Sequence, residues 1–241
     1  MNYYQKYQRY KRLYHRLHGG NSSMKKLVIS LRSSQDRRRN ILNYFNNVDF
    51  IDAIDGKQHP NVVQSPYRQL NPGEIGCFKS HRKVWEIISH YPNNDWVMVL
   101  EDDAKPYRKE WKNELSQGLK ELDDSVGFVY LHKSQSKSFY RVIDKVERIA
   151  NRIDFETQPY TNMDKQHKTY TCICSPRLIT VAYCIRPSIA KQLLQATQLS
   201  NSQEGDIYLP VDIQIHLYKI KMACFQKGIL CQDSQFDSLI R

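Results

Sequence analysis

Trp96-Val97-Met98-Val99-Leu100 is an unbroken apolar run that ends directly in three carboxylates, Glu101-Asp102-Asp103. A strand with one wet face alternates apolar and polar residues, whereas a continuous run of this length belongs to a strand covered on both faces. Strands of that kind build mostly parallel sheets flanked by helices, and such sheets place their ligands just beyond the carboxyl ends of the strands. This feature predicts an α/β domain with its chemistry at residues 101–103.

The neighbouring pattern agrees. Leu27 to Leu31 reads as a strand, with Ser33-Ser34 as cap of a helix from about Asp36 to Phe45. Phe50 to Ile54 reads as a second strand ending in the turn Asp55-Gly56, and residues 57–70 read as loop. Asn71-Pro72-Gly73-Glu74 then carries a helix start, with Asn as N-cap, Pro at the first position and Glu at the third. Its apolar face is Ile75, Phe78, Trp85 and Ile88. After the acids come a helix with Trp111, Leu115, Leu119 and Leu122 inward, then strands at 127–131 and 178–185. Pro187 and Pro210 open further helices, and short strands near 223–225 and 229–231 close the fold. Residues 133–176 are polar with weak periodicity and read as a long excursion suited to acceptor contacts or a lid.

Three adjacent carboxylates repel one another, so their place at a strand end calls for a cation. Strand alternation puts Glu101 and Asp103 on one side and Asp102 on the other, giving two oxygen donors to a hard metal such as Mn2+ or Mg2+. Rival phosphate-binding devices are missing from the sequence: no Gly-x-Gly-x-x-Gly follows the first strand, and no Gly-x-x-x-x-Gly-Lys occurs. Ser80 and His81 resemble a nucleophile and its base, but neighbours on a helix diverge by about 100° and cannot face each other.

Of the 36 Lys and Arg, eight lie in residues 1–35 without a single acid, so the net charge of +11 falls to +3 beyond them. Nucleic acid is therefore not the expected partner of the globular part. Tyr3, Tyr7, Tyr10, Tyr14 and Leu17 line one helical face before Gly19-Gly20, which sets residues 1–23 apart as a basic, Tyr-rich tail from a domain at 24–241. The tail reads either as a packed, solvated terminal helix or as a docking surface, through residues 1–20, for an anionic membrane or polymer. It resembles the Tyr- and Lys-rich leaders of many giant-virus proteins. Six cysteines lack zinc-site spacing, and the basic N-terminus lacks an apolar core segment, so reduced thiols in cytoplasm, of a host cell or virion if viral, are expected. No run approaches the roughly 20 apolar residues of a membrane span.

Taken together, Val28 to Leu31 with Ser34 and Arg37-Arg38, Ala53-Ile54-Asp55-Gly56, Leu70 to Cys77 with Ser80-His81, and Val99 to Asp103 resemble glycosyltransferase family twenty-five. Ala182 to Ile185, Leu209-Pro210-Val211-Asp212 and Gln232-Asp233-Ser234 extend the likeness, which spans about residues 26–240. The resemblance implies a GT-A type fold with a Rossmann-like sheet, a nucleotide-sugar donor of the UDP-sugar class, a divalent metal, and inversion at the anomeric carbon during transfer to a hydroxyl of a glycan or glycosylated protein. It assigns metal and nucleotide contact to Glu101 and Asp103, support to Asp102, and donor contacts to Arg37, Ser80 and His81. Inversion also needs a general base. Asp212 is the first candidate, with a metal ligand or a helix cap as its other readings, and Asp233 and Glu204 are the alternatives. A catalytically silent nucleotide-sugar-binding module and a polyanion-binding protein acting through the tail are the competing functions.

Overall fold

A computed structural model of the chain describes residues 24–58, 69–132, 171–173, 180–197, 211, 215, 220–225 and 227–236. The tail at 1–23, Asp212, Glu204 and most of the 133–176 excursion and of the expected Pro210 helix lie outside the described residues. In chain order the elements are β1 (Lys25–Ser30), α1 (Gln35–Leu42), β2 (Val48–Asp52), a 3-10 turn (Gly56–Gln58), α2 (Pro72–Ser89), β3 (Val97–Glu101), β4 (Ala104–Pro106) and α3 (Trp111–Lys120). There follow β5 (Phe128–Tyr130), β6 (Thr171–Ile173), β7 (Ala182–Ile185), α4 (Pro187–Ala196), β8 (Met222–Phe225) and β9 (Leu230–Gln232).

Among the described residues, seven strands form one sheet in the order β2-β1-β3-β7-β5-β8-β6, while β4 and β9 pair as a separate antiparallel ribbon. The pairings make β1, β2, β3, β5 and β8 run one way and β6 and β7 the other. This is the expected α/β fold with a mostly parallel sheet.

The alternation of β1 and β3 sorts the helices onto two faces. Leu27, Ile29, Val97 and Val99 point to a core that holds Phe78, Trp85 and Ile88 of α2 and Ile189 and Leu193 of α4. Val28, Met98 and Leu100 point the other way, to Ile41 of α1 and Trp111 and Leu115 of α3. Both faces of β3 are therefore dry, which is why its sequence is a continuous apolar run.

From β1 the chain steps outward to β2 and then returns to β3 on β1's opposite side. A crevice opens where the two crossovers part, at the carboxyl ends of β1 and β3. The acidic triplet sits there.

Two strands appear where the sequence pattern gave none. Residues 104–106 form β4 instead of leading straight into a helix, and 171–173, inside the expected excursion, form edge strand β6 against β8. Both are three-residue strands whose partners are remote in sequence, so pairing rather than local pattern creates them.

Candidate functional site

The helix start at Asn71 follows its sequence: the Asn71 side chain accepts the Glu74 N–H at 2.9 Å, and Glu74 accepts the Asn71 N–H at 3.0 Å. The Ser34 cap differs, for it makes no side-chain bond to α1. Two glycines bring the first turn of α2 against the loop after β2. A Cβ on Gly56 would lie 1.6 Å from the Pro72 carbonyl oxygen, and one on Gly76 would lie 2.7 Å from the Ile54 carbonyl oxygen. Ser80 fastens the same junction, since its hydroxyl accepts the Ile54 N–H at 2.8 Å and donates to the Gly76 carbonyl at 2.6 Å. Gly76→Ala is therefore expected to push α2 off this loop and destabilise the chain by about 1–3 kcal/mol, as overpacking does. A lowered denaturation midpoint together with weakened ligand binding checks it.

This junction walls a cavity of about 550 Å³ above the ends of β1, β2 and β3. Every described residue singled out from the sequence except Asp233 lines it: Arg37, Ser80, His81, Glu101, Asp102 and Asp103. The three acids face three different surroundings.

Glu101, the last residue of β3, continues the alternation of Val97 and Val99 and faces α2. Its carboxylate accepts the Thr180 hydroxyl at 2.9 Å and lies 3.4 Å from His81 Nε2. Burial raises its pKa, but His81 and Thr180 outweigh that and hold it below the usual carboxylate value. His81 Nδ1 is 2.9 Å from the Tyr183 hydroxyl, which also accepts the Trp85 indole N–H at 3.0 Å. Ser80 and His81 thus serve different partners, as their helical divergence requires.

Asp102 faces α1. It accepts the Ser30 hydroxyl at 2.7 Å and the Arg37 guanidinium at 2.9 Å, and both side chains of that ion pair are about nine-tenths buried. Burial raises the Asp102 pKa against the pull of Ser30 and Arg37. Arg37, expected at the nucleotide, spends its charge here while its guanidinium lies over the Phe236 ring at 5.1 Å.

Asp103 departs from the expected geometry. The strand ends at Glu101, the chain turns at 102–103, and alternation no longer applies. Asp103 does not repeat the surroundings of Glu101: its Oδ2 accepts Gln232 Nε2 at 2.9 Å and lies 3.6 Å from Arg37. Its Oδ1 is buried with no hydrogen-bond partner among the described residues. Burial first, and then the charge of Glu101, pushes its pKa up to about 7. A buried carboxylate oxygen without a donor is stabilised by a cation, so the residues fit a hard divalent ion.

Asp233 lies beside the cavity without lining it. Its backbone N–H donates to the Asp103 carbonyl at 2.6 Å, and its carboxylate accepts from Lys105 at 2.9 Å, Gln235 at 2.8 Å and Asn40 at 3.3 Å. Burial pushes its pKa up, but Lys105, Gln235 and Asn40 outweigh that and hold it below the usual value. The backbone N–H ties the end of β9 to the acidic turn, and the carboxylate ties it to Lys105 of β4 and Asn40 of α1. Ser30, Cys77, Thr180, Tyr183 and Gln232 had no role assigned from sequence. Four of them stand inside the motifs quoted above, and Thr180, just ahead of β7, carried no signal.

The model of glycosyltransferase family 25 (LPS biosynthesis protein) matches residues 23–215. The chain belongs to this family. Procollagen galactosyltransferase 1-B of Xenopus laevis is 34% identical over 210 residues, which cover 78% of this chain and 31% of that protein. The inactive glycosyltransferase 25 family member 3 of Homo sapiens is 24% identical over 211 residues, with the same coverage of 78% and 31%. The chain spans less than a third of the length of either relative. Among solved structures, the apo form of mouse xyloside xylosyltransferase 1 overlays with a TM-score of 0.39 and 12% identity, covering 80% of this chain and 66% of that one. That overlay is too loose to bear on function. No helix among the described residues is long and apolar enough to cross a membrane.

Proposed function

We propose that this family 25 chain moves a sugar from a nucleotide-sugar donor of the UDP class to a hydroxyl of a glycan or protein-linked acceptor, with inversion and with a divalent cation, Mn2+ or Mg2+. The observation that carries the reading is the unpartnered, buried Oδ1 of Asp103 in a cavity at the crossover of an α/β sheet. About 550 Å³ is also within the size range of small-molecule sites.

Glu101 and Asp103 would hold the cation, which when bound supplies charge neutralisation for the departing diphosphate. Thr180 holds the Glu101 carboxylate in place, with His81 Nε2 3.4 Å away. Gln232 holds Asp103, and Arg37 offsets part of the negative charge that three carboxylates concentrate here. Lys57 borders the same cavity and offers a cation to a phosphate. Asp212 is assigned as the base that takes the acceptor's proton, on the strength of the Leu209-Pro210-Val211-Asp212 motif. Asp233, already engaged by Lys105, is assigned to positioning.

Thermal melting with a panel of nucleotide sugars, with and without Mn2+, tests this. A ligand that binds only the folded state at a hundred times its Kd stabilises by about 2.7 kcal/mol. For a chain of this size that corresponds to a rise of roughly 5–10 °C. A Mn2+-dependent rise with one UDP-sugar, followed by transfer to an acceptor, supports the reading. The same rise without transfer or donor hydrolysis supports the silent module, a reading favoured by the human relative named inactive. No rise with any donor sinks both.

A further inference from the structure

Cys77 and His81 stand four residues apart on α2 and so share one face of the helix, the face that looks across to Glu101. The Cys77 sulfur, a His81 ring nitrogen and a Glu101 carboxylate oxygen all lie within 4.8 Å of one another. Among the described residues this is the group of three that comes together in this way, and the acidic triplet does not. His81 Nε2 is fully buried, has no hydrogen-bond partner among the described residues, and lies 3.4 Å from Glu101 Oε1.

We propose that Cys77, His81 and Glu101 form a binding site for a thiophilic divalent cation, zinc in class, which shares Glu101 with the oxygen-only pair Glu101 and Asp103. Thiolate, imidazole and carboxylate together are a zinc or cobalt donor set, and the sulfur makes them a poor one for Mg2+ or Mn2+. Zinc bonds of about 2.0–2.3 Å in a tetrahedron put donor atoms roughly 3.3–3.8 Å apart. Side-chain movements on the order of 1 Å close the present group to that spacing. Thiolate and carboxylate balance the charge of the ion, and the fourth position opens onto the cavity that Cys77, His81 and Glu101 all line.

The outer hydrogen bonds are already those that hold metal ligands. Thr180 donates to Glu101, and the nitrogen of His81 that faces away from the group is 2.9 Å from the Tyr183 hydroxyl. With a cation on Nε2, the proton resides on Nδ1 and is donated to Tyr183 Oη, whose other lone pair accepts the Trp85 N–H. Because one carboxylate serves both donor sets, a zinc ion here withdraws Glu101 from the hard-metal pair. Zinc thereby opposes Mn2+.

The test is a titration of the metal-free full chain with Co2+ alone, read by absorption. A thiolate-to-cobalt charge-transfer band that saturates at one equivalent and is bleached by Zn2+ is expected. Cys77→Ser should remove the band, and Asp103→Asn should leave it. Cys77 is partly exposed and the exchange conserves size, so a melting temperature close to the parent's verifies folding of the variant. Tyr183→Phe, which removes only the outer hydroxyl, should weaken Co2+ binding by about 10- to 100-fold. No band in the parent, a band that persists in Cys77→Ser, or a band lost in Asp103→Asn overturns the proposal. The proposal borrows Glu101's role in hard-metal binding only for the competition with Mn2+. The readout needs neither donor nor acceptor, so its failure is distinct from failure of the transfer reading, which the Mn2+-dependent melting shift decides.

Discussion

Asp103→Asn is expected to lower the proposed sugar transfer by about a hundredfold or more and at the same time to stabilise the metal-free protein at pH 8. The two effects have one cause. Asp103 is buried, and burial together with the charge of Glu101 raises its pKa to about 7, well above the ordinary value of 3.8. Ionising it in the folded chain is therefore unfavourable, at about 1.4 kcal/mol for each tenfold loss of acidity. A carboxyl with a raised folded pKa contributes most to stability below its unfolded pKa, and that contribution is lost as pH rises through the folded one. The parent accordingly loses stability between about pH 4 and pH 7 on account of this group, and the asparagine variant does not. Melting both proteins without metal from pH 5 to pH 8 should show the variant's advantage growing with pH and levelling above about 7.

The loss of activity follows because asparagine offers no charge to the cation that Asp103 is proposed to hold. Removing charge stabilisation worth several kcal/mol at a departing diphosphate costs at least a hundredfold in rate, at about 1.4 kcal/mol per factor of ten. A variant that melts lower than the parent at every pH would make Asp103 a structural residue, and unchanged transfer would remove it from the site.

The place of this site was legible from one stretch of sequence, because a strand buried on both faces cannot continue into three acids unless it ends there. Asn71-Pro72-Gly73-Glu74 was equally legible, since a capping box is a local device whose partners are three residues apart. The direction of β7 was not. It is antiparallel between β3 and β5, and a strand buried along its whole length reads the same either way. The carboxylate geometry was half legible. Alternation correctly sends Glu101 toward α2 and Asp102 toward α1, but it stops where the strand stops, and so it misplaced Asp103. Glu101 and Asp103 are fixed by Thr180 and Gln232, 79 and 129 residues away along the chain, and His81 by Tyr183, 102 residues away. Only the fold brings them in.

Arg37→Met carries the largest expected cost in stability. Arg37 and Asp102 make a 2.9 Å ion pair with side-chain exposures of 10% and 6%, and Asp103 lies 3.6 Å from the same nitrogen. Removing one partner of a buried pair strands the other charge, at a cost of about 3–5 kcal/mol. For a chain of this length that is a fall in melting temperature of roughly 6–20 °C. Asp102 can escape by taking up a proton, and its pKa is already raised, so the penalty should be smaller at pH 5 than at pH 8. Adding Asp102→Asn, which keeps an acceptor for the Ser30 hydroxyl while removing the charge, should recover more than half of the loss. That recovery is the coupling a double-mutant cycle measures. If the two losses instead simply add, Arg37 stabilises the domain through its packing on Phe236 and not through Asp102. With coupling, the conclusion concerns function as well. The arginine expected at the nucleotide is then the counter-charge that lets Asp102 and Asp103 lie buried side by side, so that the Asp103 oxygen without a partner among the described residues is left for the proposed cation.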